Sequence, residues 1–216
     1  KNPTASAATK GGVSRVYERP IKGYAYALDA GAKLQLPRDA SKGLGLLQPF
    51  LALQLEVPAA SAPLSLELAV TDASKVRRRL VFSTAFREPT TTPLHAQVPL
   101  APLASVRGCW VTLVVDLASV AGAAFAPQQT AGQNHPSMRV RLESVTLGPV
   151  CKVRRVFTLR DRPSSSGGGP DEAIPQAVDF PPGMSPPPPL VLLDGAAVAP
   201  RGGGFVDLGP AAFSKL

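Results

Sequence analysis

Four side chains are of the types that most often ligate metals or carry protons and nucleophilic attack: His95, His135, Cys109 and Cys151, the only histidines and cysteines in the chain. None stands at the spacing of roughly two to five residues that zinc sites use between paired ligands. His95 sits in an alternating stretch, TPLHAQVPL, and His135 in a Gln/Gly/Pro loop. Serines are available, but no nucleophile-elbow sequence surrounds any of them. The triple glycines Gly167–Gly169 and Gly202–Gly204 lack the strand before and helix after that a phosphate loop needs, so they read as linker. These residues predict no catalytic set, metal or cofactor, and so no enzyme and no small-molecule substrate. The two cysteines lie in apolar runs and read as reduced thiols, although a disulfide between neighbouring strands is left open.

The chemistry that the sequence does supply is cationic. Arg77, Arg78 and Arg79 follow one another, and a second cluster holds Lys152, Arg154 and Arg155. Residues 1–162 carry a net +11 and residues 163–216 a net −3, which together give the +8 of the whole chain. A basic body with a weakly acidic end points to an acidic partner: nucleic acid, an anionic membrane or an acidic protein surface.

Both clusters lie in strand-like runs. Leu64, Leu66, Leu68 and Val70 alternate with Ser65, Glu67 and Ala69, a period of two that an extended strand shows and a helix does not. After a polar break at Asp72–Ser74, Val76–Ser83 forms the return strand of a hairpin. With that break as the turn, Glu67 falls opposite Arg79 and Ala69 opposite Arg77. Alternation puts Arg77 and Arg79 on a solvated face, where they are candidate partner contacts. Arg78 shares its face with Val76, Leu80 and Phe82, so it needs a carboxylate, backbone carbonyls or edge water, and reads as structural. In Val150–Leu159 the same alternation places Cys151, Val153, Phe157 and Leu159 on one face and Lys152, Arg154 and Val156 on the other. Lys152 and Arg154 join the candidate contacts, and Arg155 joins Arg78 as structural.

The rest of the chain supplies further strands: Val13–Tyr17, Tyr24–Leu28, Ala32–Leu36, Phe50–Val57, His95–Leu100, Cys109–Val115 and Met138–Leu147. Cys109–Val115 is apolar on both faces, which suits a central strand. Asp116–Phe125 is the best helix candidate in the body, Ala-rich with Asp116 as its cap. About nine strands, frequent Pro/Gly turns and little helix predict an all-β fold, an antiparallel β-sandwich of jelly-roll-like form with one short helix. The expected organisation is a flexible arm over 1–12, the sandwich over 13–162 and an extended low-complexity Pro/Gly-rich tail over 163–216. In that tail the apolar islands Ala173–Ile174, Leu190–Leu193, Phe205–Leu208 and Phe213 read as anchors on another surface. No run approaches the ~18 apolar residues of a helical membrane span, and residues 1–12 lack the apolar segment of a secretory signal. No membrane partner is therefore expected.

Aromatic residues make up 6% of the chain and do not interleave with the arginines, which weighs against nucleic acid. A carbohydrate-binding module is the other alternative, with Tyr24 and Tyr26 as its best exposed aromatics. Trp110 lies in an apolar strand and reads as core.

Several separate motifs then agree. Val76-Arg77-Arg78-Arg79, Gly108-Cys109-Trp110 ahead of a strand ending in Asp116-Leu117, and Cys151-Lys152-Val153-Arg154-Arg155-Val156-Phe157 occur in order, with Leu34-Gln35-Leu36-Pro37 and Leu44-Gly45-Leu46 upstream. Over roughly 24–163 the chain resembles the cilia- and flagella-associated protein 20 family (domain of unknown function 667). The resemblance implies a β-sandwich without enzymatic activity that binds microtubules and neighbouring axonemal proteins in cilia, flagella or centrioles. In this chain the 126–137 loop is longer than in the founding member and the proline-rich tail differs.

Overall fold

The computed structural model describes residues 8–10, 12–58, 63–125, 138–163 and 174–198. Its two facing sheets bear out the expected all-β sandwich. One has seven strands: β1 (Ala8–Lys10), β4 (Lys33–Leu36), β6 (Ser65–Asp72), β7 (Arg77–Ser83), β8 (Thr90–Thr91), β9 (His95–Pro99) and β11 (Val140–Gly148), in the spatial order β1-β4-β11-β6-β7-β9-β8. The other has six, β13-β10-β5-β12-β3-β2. These are β2 (Val13–Glu18), β3 (Gly23–Leu28), β5 (Phe50–Glu56), β10 (Trp110–Asp116), β12 (Cys151–Leu159) and β13 (Leu190–Leu193). Pairing is antiparallel except at β7–β9 and β10–β13, which run parallel.

The core lies between the sheets. Leu51, Leu53 and Leu55 of β5 face Leu66, Leu68 and Val70 of β6 and Leu80 and Phe82 of β7 across one continuous buried cluster. Such aligned apolar alternation is what a two-sheet core requires. A single-turn helix, α1 (Ala101–Ala104), precedes β10, and α2 (Leu117–Phe125) follows it. Asp116 caps α2 as its sequence suggests, its Oδ1 accepting from the Ser119 amide at 2.9 Å.

Three details depart from the sequence reading. The hairpin turn is centred one residue later than Asp72–Ser74 implies: the Asp72 amide donates to the Val76 carbonyl at 3.1 Å, and Lys75 takes a positive φ of 62°. Moving the centre by one residue moves the register by two. Ala69, not Glu67, is therefore opposite Arg79, and Thr71 is opposite Arg77. The faces are unchanged, because the shift is even.

In β12 the alternation itself breaks. The register against β5 slips between Val153 and Arg155, so Arg154 is the extra residue of a β-bulge. Cys151 and Val153 belong to the main core, as does Val156 after the bulge, whereas Phe157 and Leu159 pack on the opposite side with Phe50, Ala52 and Val114. The single face expected for Cys151, Val153, Phe157 and Leu159 is thus two faces. A bulge carries no mark in a period-two pattern.

The third departure is at the ends. Residues 8–10, expected within a loose arm, form β1 against β4. Residues 174–198, expected in an extended tail, complete the body. β13 hydrogen-bonds alongside β10, and Leu193 and Val198 enter the main core. The Gly195 amide donates to Ser119 Oγ at 2.9 Å, which docks a 3-10 turn at Gly195–Val198 onto α2. Two apolar islands of the tail, Ile174 and Leu190–Leu193, are therefore anchored on this chain's own sheet. Ala173, the 126–137 loop with His135, both triple glycines, Phe205–Leu208 and Phe213 lie outside the described residues.

Candidate partner-binding surface

Arg78 is held as its position on an inner face demands. Its Nε donates to Asp72 Oδ2 at 3.0 Å, and a second nitrogen reaches the same oxygen at 3.0 Å. Another guanidinium nitrogen donates to the Pro93 carbonyl, and the Phe125 ring lies 5.1 Å away. The other Asp72 oxygen accepts from the Val76 amide at 2.9 Å. One carboxylate therefore closes the hairpin turn and neutralises the arginine. Burial pushes the Asp72 carboxyl up, but the Val76 amide and the Arg78 guanidinium outweigh it and hold it below the ordinary carboxylate value.

The four candidate contact residues do not converge. Arg79 is exposed on the outer face of the seven-stranded sheet, paired with Glu67 Oε1 at 2.8 Å. Lys152 lies on the other sheet between two carboxylates, 2.8 Å from Glu18 and 3.0 Å from Glu56. Burial works against its charge, but the two acids prevail and raise its pKa. Arg154 is covered. It donates to Gln54 Oε1 at 2.5 Å and to the Asp179 carbonyl at 2.8 Å, with the Phe180 ring 5.4 Å away. Burial and the adjacent Arg155 charge lower its pKa, and Asp179 offsets only part of this.

What covers Arg154 is a strap, residues 174–184. Gln54, fully buried on the outer face of β5, donates to the Val178 carbonyl at 2.9 Å, and Phe180 meets Trp110 edge-on at 6.0 Å. Arg155 is exposed, with one hydrogen bond to the Ala177 carbonyl at 2.5 Å. Arg154 and Arg155 both tie the strap down, because the bulge brings Arg155 to the side that the half-buried Arg154 already shares with Gln54.

Arg77 is different. It lines a cleft of about 690 Å³ beside the hairpin turn, with Lys42, Lys75, Arg139 and Arg141 around it. Three chain segments build it: the loop before β5, the β6–β7 turn and the entry to β11. Arg141 is opposite Thr71, and Thr71 is opposite Arg77, so the two arginines flank a threonine in one row across three strands. Two acids line the same cleft, and both are engaged: Asp72 by Arg78, and Glu143 by Arg141 Nε at 2.6 Å. Among the described residues, Lys75, Arg77 and Arg139 have no ion-pair partner. Sequence reasoning missed Lys42, Lys75, Arg139 and Arg141. Lys42 and Lys75 are isolated cations in their stretches of the cleft, and only the alternation of Arg139 with Arg141 signals a shared face.

A second exposed feature lies on β2 and β3. Tyr17 and Tyr24 are cross-strand partners whose rings meet edge-on at 5.4 Å, and the Arg15 guanidinium sits 3.8 Å from the Tyr24 ring centre. Tyr26 is half-exposed beside them.

Among the described residues, no group of three or more His, Cys, Asp and Glu could hold a metal ion. No described helix is long and apolar enough to cross a membrane. A solved structure of an exo-beta-agarase is similar over 77% of this chain at 8% identity, with a TM-score of 0.37. This chain spans 24% of that one, and the likeness carries no inference. The model of the CFA20 domain matches residues 2–164, which include both sheets except β13 and carry every arginine of the two clusters. With its sandwich and arginine-bearing strands in place, the chain belongs to the CFA20-domain family, whose association is with cilia and flagella.

Proposed function

We propose that this protein is a non-enzymatic structural component of the axoneme that binds microtubules and neighbouring axonemal proteins through the basic body of its sandwich. The observation that carries the reading is the cleft, where cations from three segments gather and, among the described residues, the two acids that line it are already paired. Tubulin surfaces are acidic, and such a cleft attracts them at long range. Exposed ion pairs contribute only about 0.2–1 kcal/mol each, so retention relies on several contacts and on repetition along a polymer. Arg77 is the predicted contact that the geometry favours most. Arg79, Lys152 and Arg154 would first have to leave Glu67, the Glu18–Glu56 pair and the strap.

Co-sedimentation with microtubules tests this reading. Pelleting above a control at low salt, lost as salt rises, supports it. No pelleting at low salt with axonemal neighbours also supplied overturns it. The Arg15–Tyr24–Tyr17 surface keeps carbohydrate binding as a second reading, since exposed rings are the platform that sugars use; a glycan array with no hit removes it. Nucleic acid is disfavoured because, among the described residues, no aromatic side chain lines the cleft.

A further inference from the structure

We propose that the cleft recognises an extended acidic peptide segment carrying an apolar side chain, in place of a folded acidic surface or a phosphate backbone. This deepens the microtubule reading and rests on it for which macromolecule supplies the segment.

The cleft is about 690 Å³ in volume and more open than enclosed, which suits a chain lying along it. Adjacent strands lie about 4.8 Å apart, so the Arg77–Thr71–Arg141 row sets the two arginine backbones roughly 10 Å apart, the rise of about three extended residues. The small Thr71 between them leaves a trough with a cation on each side. Arg139, Lys75 and Lys42 extend the positive lining beyond the row.

Asp72 and Glu143 do not oppose this field, since each is already bonded to an arginine. Carboxylates on a bound chain would meet Lys75, Arg77 and Arg139, which have no ion-pair partner among the described residues. Leu47, 74% exposed, adds an apolar contact to the lining. A phosphate backbone has no use for that leucine, and bases find no ring on which to stack. Charge and apolar contact together fit a peptide rich in glutamate or aspartate with an aromatic or aliphatic residue in it.

The test is fluorescence anisotropy with the full chain and a labelled glutamate-rich peptide containing one phenylalanine, beside its glutamine counterpart, a version lacking phenylalanine and an oligothymidine of matched charge. Saturable, salt-sensitive binding of the phenylalanine-bearing acidic peptide is expected, with the glutamine counterpart inert and the oligothymidine weaker. Each exposed pair is worth about 1.4- to 5-fold, so Arg77→Glu with Arg139→Glu should weaken binding by on the order of tenfold. Arg87→Glu with Arg160→Glu, the same charge change on exposed arginines outside the lining, should cost less than about threefold. Leu47→Ser should weaken only the phenylalanine-bearing peptide. Absence of saturable binding, equal losses in the two arginine pairs, or tighter binding of the oligothymidine overturns the proposal. Microtubule pelleting without peptide binding would sink this inference alone; peptide binding without pelleting would sink the microtubule reading alone.

Discussion

Replacing Arg78 by alanine should unfold this sandwich more readily than any other single arginine change in the Arg77–Arg79 run. The substitution leaves Asp72 bonded to the Val76 amide but without its cation, leaves the Pro93 carbonyl without its donor, and empties the space over the Phe125 ring. Removing one partner of a fully buried pair costs about 3–5 kcal/mol. Arg78 is 15% exposed, so water recovers part of that loss, and about 2–4 kcal/mol is expected. For a domain of this size ~1 kcal/mol lowers Tm by about 2–4 °C, which makes the shift on the order of 4–16 °C. Arg77→Ala, at an exposed position with no ion pair in the sandwich, should stay within about 0.5 kcal/mol. Urea and thermal unfolding followed by circular dichroism measure both. A cycle with Asp72→Asn should show a coupling of about 1–3 kcal/mol between residues 72 and 78. If Arg78→Ala proves no worse than Arg77→Ala, or the cycle shows no coupling, the role given to the inner-face pair is wrong.

Stability should bend at both ends of the pH range. Asp72 has a depressed pKa in the fold, so its contribution is present above the unfolded value of 3.8 and is lost as pH falls through the lower folded value. Lys152 has a raised pKa, so its contribution is complete below the unfolded value of 10.5 and is lost as pH rises through the higher folded value. Asp72→Asn should flatten the acid limb of a Tm-against-pH curve, and Lys152→Met the alkaline one. In native protein a thiol reagent should label Cys109, which is partly exposed, well before Cys151, whose thiol burial pushes up to about 12; both should react in denaturant, and equal native rates would contradict the burial. The sole tryptophan reports on the strap. Phe180→Ala should red-shift Trp110 emission and cost about 1–3 kcal/mol, since it removes an aromatic contact and opens the indole to water. Ending the chain after residue 164 should lower Tm far more, because Leu193 and Val198 leave the main core. Unchanged emission and Tm in both would mean that the segment does not sit where the structure has it.

Alternation and turn signals revealed the sandwich because they are local: Leu66-Leu68-Val70 and Leu51-Leu53-Leu55 each announce a buried face by themselves. Arg78 was legible for the same reason, as a charge at an apolar position. Its partner was half-legible, since Asp72 stood in the expected turn but a one-residue change of turn centre set which pairs lie opposite. The face of Arg155 is not legible, because a bulge leaves composition untouched and reverses every later side chain. Arg154 lies on the face that alternation gives it, but the strap that covers it there leaves no local signal. The docking of the strap on its own chain is hidden for a related reason. Low complexity and proline describe the chain's stiffness, and say nothing about the open edge of β10 and the uncovered Trp110–Gln54 face that receive it. The basic cleft needed three dimensions, because its cations come from three segments and only Arg77 stood in a visible cluster.

Binding through the cleft, as proposed, differs from attraction by the net charge of the body in the particular cations it needs. Microtubule pelleting at one low ionic strength, comparing the wild type with Lys75→Glu/Arg77→Glu/Arg139→Glu and with Arg19→Glu/Arg87→Glu/Arg160→Glu, measures it directly. The triple changes alter charge equally, and all six residues are exposed. The cleft variant should lose most of its bound fraction while the other triple variant keeps most of its own. Equal losses in the two would contradict it and leave only a diffuse attraction between a basic protein and an acidic polymer.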